Sequence, residues 1–86
     1  MNFIYKQLVK KYINQLTIND IKKYALSKNE HITDQEASII YNHIKNHYIE
    51  LLEGNTSSFS ILKQNLRKDL FNKIILLYNE AKTKYL

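Results

Sequence analysis

A chain of 86 residues, 44% hydrophobic and 24% charged, has room for one folded domain and no more. Cysteine is absent, which excludes disulfides, thiolate metal sites and a cysteine nucleophile. Gly54 is the single glycine, so there is no glycine-rich phosphate loop, dinucleotide fingerprint or glycine-flanked nucleophile elbow; the net charge of +5 keeps a nucleic-acid partner open.

The apolar spacing is helical throughout. The first helix is expected over about 2–16. Phe3, Ile4, Leu8, Tyr12, Ile13 and Leu16, with Tyr5 and Val9, make a broad apolar face opposite Lys6, Gln7, Lys10, Lys11 and Asn14. Thr17 restarts the chain: its hydroxyl can accept a backbone N–H of the next turn, and Asp20 suits the positive end of the helix dipole. A second helix follows over about 18–28, and Asn29 is the residue best suited to a left-handed stop. Thr33-Asp34-Gln35-Glu36 is a capping box, with Ile32 placed to staple onto the first turn. The third helix runs from 34 to about 46, or on to 52. Gly54-Asn55-Thr56-Ser57-Ser58 is the one strong loop signal. From Phe59 to the end the chain reads either as one long helix or as two. A break near Arg67-Lys68-Asp69 would explain why the apolar face drifts from Leu62/Leu66/Leu70 to Ile74/Leu77/Tyr78.

Few groupings carry chemistry. His43 and His47 are one helical turn apart and Glu50 follows, a spacing that suits a metal ion; two histidines on a partly exposed face are the much better explanation, since a metal site also needs supporting partners and closed geometry. Asp20, Asp34, Glu36 and Asp69 sit where helices start, so capping accounts for them, while Glu50, Glu53 and Glu80 look freer. The second and third helices resemble a helix-turn-helix in order, and Gln35, Ser38, Ile39 and Asn42 would face DNA. The turn lacks the usual glycine, and Ile39 suits a core better.

Lysine stripes (Lys6 and Lys10 on the first helix, Lys22, Lys23 and Lys28 on the second) can hold phosphates without reading sequence. Arginine, the better guanine reader, occurs once. Isoleucine, lysine, asparagine and tyrosine share AT-rich codons and supply 41 of the 86 residues, so base composition is a second explanation of the charge. Tyr5, Tyr48 and Tyr85 are the tyrosines to inspect as exposed stacking platforms. The first and last helices are apolar around much of their circumference, more than one small bundle can cover.

Leu16-Thr17, Asp20-Ile21 and Tyr24-Ala25, followed by Ile32-Thr33, Gln35-Glu36-Ala37 and Ile40, resemble a family of short, all-helical, uncharacterised proteins of Gram-positive bacteria. That resemblance implies four or five helices, a short non-helical piece around residues 47–51 and a helical break near residue 67. It carries no catalytic or binding residue.

The expectation is a single all-α domain over 1–86, a compact bundle of four or five short helices with antiparallel helical hairpins. It acts by binding, with no cofactor, no metal, no small-molecule substrate and no catalysis. The opening MNFIYKQLVKK is too polar for a secretory signal, and no apolar run is long enough to span a bilayer, so a cytoplasmic location is expected. The partner is another protein or a second copy, met through the first helix and Phe71, Ile75, Leu76 and Tyr85 of the last. The alternative is nucleic acid, bound by Lys6, Lys10, Lys22, Lys23 and Lys28.

Overall fold

Two threonines set two of the helix starts. The computed structural model describes residues 3–85, the side chain of Tyr85 excepted, and divides them into α1 (Phe3–Gln15), α2 (Ile18–Ser27), α3 (Asp34–Leu52), α4 (Phe59–Asn65) and α5 (Lys68–Tyr85). Thr17 accepts the Asp20 N–H on its hydroxyl, and the Asp20 carboxylate accepts the Thr17 N–H in return. Thr33 and Glu36 make the same reciprocal pair. Each box satisfies two backbone donors that a bare helix end leaves orphaned.

Two left-handed residues set the stops. Asn29 has φ 62 and Gly54 φ 83. After α2 the Glu30 N–H donates to the Ala25 carbonyl and the Asn29 N–H to Leu26; after α3 the Asn55 N–H donates to Glu50 and the Gly54 N–H to Leu51. Both are Schellman closures. The third helix therefore takes the longer of its two options. The non-helical piece implied around residues 47–51 does not form: α3 continues unbroken to Leu52 and closes at the left-handed Gly54. The break at residue 67 does form: Leu66 is extended (φ −123, ψ 152) between α4 and α5.

Leu66 and its neighbours also make the core. Phe59, Leu62, Leu66 and Leu70 are buried together, and Ile32, Ile39, Ile40, Leu51, Phe71, Ile74, Ile75 and Tyr78 close around them. The Phe59 ring meets Phe71 and Tyr78 edge-on. Tyr78 donates its hydroxyl to the Leu51 carbonyl at 2.6 Å. Arg67, at the start of α5, meets Glu36 at the start of α3, and Tyr78 meets Leu51 at its end. Hence α5 runs in the same sense as α3, with α4 as the return. The other side differs. The first half of α1 meets the end of α3 through Lys6 and Glu53, while α2 meets its start through Lys22 and Asp34. So α1 and α2 follow one another along α3 in the opposite sense, broken at Leu16–Thr17, and α2–α3 is the antiparallel hairpin. Neither α1 nor α2 packs closely on α5.

Candidate functional site

On α1 the helical pitch sorts the apolar residues into two rows. Ile13 is buried, and Tyr5 and Val9 are half-buried above it. The adjoining row of Ile4, Leu8 and Tyr12, one helical turn apart, stays 71%, 63% and 65% exposed, with Phe3 beside its end at 74%. A helix normally turns its widest apolar face to the core. Among the described residues α3 is the only helix whose backbone comes close to α1, and one row alone is turned inward.

The ridge leads into a cleft. Because α1 and α2 stand away from α5, an apolar cavity of about 380 Å³ opens between them. Tyr12, Ile13, Leu16, Ile21 and Tyr24 line one wall, Leu70, Ile74 and Leu77 the other, and Ile40, Ile44 and Leu62 the floor. Charges sit among the lining: Asp20, Glu30, Lys28 and Lys73. Asp20 is committed to the Thr17 cap, and Glu30 lies 3.6 Å from Arg67. Lys28 leans over the Tyr24 ring. A volume of this size, apolar with a few charges, is in the range of ligand and peptide grooves.

Comparison with known proteins adds one finding. The family described as Protein of unknown function (DUF2624) matches residues 1–80. The chain belongs to this family. No curated protein and no solved structure matches it.

In this DUF2624 chain the residues singled out from sequence fall unevenly. Phe71 and Ile75 are half-buried against the core, Leu76 is 52% exposed, and the Tyr85 side chain lies outside the described residues. Among the described residues the most exposed large apolar side chains are on α1, with Tyr24 and Leu26 on α2 next, ahead of Leu76 on α5. Among the lysines, Lys6 pairs with Glu53 at 3.1 Å and Lys22 with Asp34; Lys10, Lys23 and Lys28 are exposed. Glu50 and Glu53 are thus not free, since Glu50 lies 3.3 Å from His47. Of the tyrosines, Tyr5 and Tyr48 are half-buried, and Tyr12 and Tyr24 are the open ones. Ile39 packs on the core, against a DNA-reading role for α3.

His43 is not on a partly exposed face. It is buried, with its Nε2 3.2 Å from the Ser58 hydroxyl and its ring 4.7 Å from that of His47. Burial chiefly, and His47 after it, hold His43 below its ordinary value, against the pull of Glu50. No group of three or more metal-ligating side chains forms among the described residues. Among the described residues no helix is long and apolar enough to cross a membrane.

Sequence reasoning also missed Arg67. Its guanidinium donates to Glu36 at 2.8 Å, to the His31 carbonyl at 2.9 Å and to Asp69, and so ties the α2–α3 turn to the start of α5. Only its being the sole arginine pointed to it.

Proposed function

We propose that this DUF2624 protein is a cytoplasmic docking module that acts by binding another protein, not by catalysis. The observation that carries this is the continuity of the Ile4–Leu8–Tyr12 ridge with the apolar cleft. Large contiguous apolar surface is uncommon on a soluble monomer and marks contact sites.

Two observations weigh against the other classes. Two of the five lysines proposed for nucleic acid are already neutralised by carboxylates. The Ser58 hydroxyl, the one serine on a histidine, is buried and does not line the cleft.

The test compares tagged wild type with Leu8→Glu in capture from host lysate, with and without nuclease. A protein captured in stoichiometric amount by wild type, retained after nuclease and lost with Leu8→Glu, is the outcome a docking module requires. Capture that disappears with nuclease and ignores Leu8→Glu would replace it with nucleic-acid binding through the lysines.

A further inference from the structure

We propose that the cleft between α1–α2 and α5 is a binding site for a small uncharged molecule made mainly of hydrocarbon, such as a long-chain alcohol. This activity is separate from docking: Ile4 and Leu8 of the ridge are not among the residues that line the cleft.

The cleft is deep and larger than one side chain. Its lining comes from all five helices and reaches Leu62 and Leu70, each 3% exposed. Its volume of about 380 Å³ is more than twice the roughly 150 Å³ that stays dry and takes one benzene ring. A single apolar anchor from a docked protein would leave much of that space empty. A flexible alkyl chain can follow it from the mouth to the core. No spacing in the chain pointed to this site, because its walls meet only in the folded protein.

The lining selects against charge. Its four charged residues, Asp20, Glu30, Lys28 and Lys73, sum to zero. The two polar groups at depth already have partners: His43 Nε2 meets the Ser58 hydroxyl, and the Tyr78 hydroxyl donates to the Leu51 carbonyl. Apart from the hydroxyls of Tyr12 and Tyr24, the remaining side chains of the lining are hydrocarbon. An ionised ligand would give up its water there without gaining a net countercharge. An alkyl chain loses only unfavourable contact with water, and its affinity grows with the length that is buried.

The probe is N-phenyl-1-naphthylamine, an uncharged fluorophore that brightens in apolar surroundings, titrated into the full 86-residue chain. It is then displaced by n-alkanols of rising length, and by the carboxylate and the trimethylammonium of each length, all below micelle-forming concentrations. The expected result is one saturable site per chain. Alkanol affinity should rise by up to about fourfold per methylene, and level off once the chain outgrows the cleft. The charged homologues should compete at least about tenfold more weakly. Ala25, half-buried in the wall, gives the blocking variant: Ala25→Trp should abolish binding, while Leu8→Glu, outside the cleft, should leave it unchanged. In the wild type, the bound alkyl chain should show nuclear Overhauser contacts to the methyl groups of Ile44 and Leu77, which decides the matter even if Ala25→Trp does not fold.

The absence of a saturable site, or alkyl contacts that miss Ile44 and Leu77, would overturn the proposal. So would retained binding in a folded Ala25→Trp. Charged homologues that compete as well as the alkanols would overturn the uncharged class. Probe binding lost in a folded Leu8→Glu would move the site to the ridge, overturning the cleft and leaving the docking role standing.

Discussion

The two halves of the molecule use the same amphipathic pattern and end differently. In the α3–α5 half, apolar residues at helical spacing converge on Phe59, Leu62, Leu66 and Leu70, which are 3–8% exposed. In the α1–α2 half, the same spacing buries Ile13 and Leu16, no residue within α2, and leaves Phe3, Ile4, Leu8, Tyr12, Tyr24 and Leu26 open. Composition does not separate them. The number of close neighbours does: α4 folds back against both α3 and α5, while among the described residues α1 and α2 are strung along α3 and stand off from α5 across the cleft. An apolar stripe becomes core only where a second surface arrives to cover it.

The sharpest way to break this contrast is to shorten one side chain in each half. Leu62→Ala should cost about 2–5 kcal/mol, because Leu62 is 3% exposed and a cavity remains. Urea unfolding measures it; a loss below 1 kcal/mol would mean that the α3–α5 half is not the core. Removing the Thr33 hydroxyl comes next. Thr33→Ala should cost about 1 kcal/mol, since the Glu36 N–H loses its acceptor, and restoration by Ser would tie the loss to the cap.

The α3–α5 half should also respond to pH through His43, which packs against Ser58 and Phe59. The His43 proton affinity is depressed in the folded chain, mainly by burial, below its ordinary value of 6.5. The unfolded chain therefore binds the proton first. Stability present above about pH 6.5 should fall as the pH drops from there toward the lowered folded value, and then level off. The carboxylates Asp34 and Glu36 are also held below their ordinary 3.8 and 4.5, Asp34 chiefly by Lys22 and Glu36 by the Thr33 N–H. Their stabilisation is lost only at more acid pH, below the window from about pH 7.5 to 5.5. Thermal melts across that window should show a smaller drop for His43→Gln than for wild type; equal drops would remove His43 as the cause. The smallest effect belongs to the open ridge. Leu8→Ala should change stability by no more than about 0.5 kcal/mol, as surface substitutions do, while weakening capture of a docked protein.

Some of these features were legible in the chain and some were not. Thr17, Thr33 and Asn29 were readable because each acts on backbone groups within a few residues of itself. The end of α3 was half-readable: Gly54 was visible, and the resemblance to a family placed an earlier break that the helix does not make. The excess of apolar face on α1 was plain, yet nothing local said which row α3 would cover. The emphasis on Phe71 and Ile75 of α5 followed from their density in sequence, and α3 and α4 supply the neighbours that half-bury them. Arg67 with Glu36, and Lys6 with Glu53, join residues 31 and 47 apart, beyond the reach of any spacing rule.

The sequence by itself determined an all-helical chain, the caps at Thr17 and Thr33, the stop at Asn29 and the surplus of apolar surface, because hydrogen bonds and side-chain rows repeat over three or four residues; it left open where α3 ends and whether the chain breaks at residue 67. The tertiary structure alone decided that α5 follows α3 in direction, that His43 goes inside, and that the surplus falls on α1 beside an open cleft. Those outcomes depend on which helix faces arrive opposite one another, and burial belongs to the pair of surfaces, not to either one.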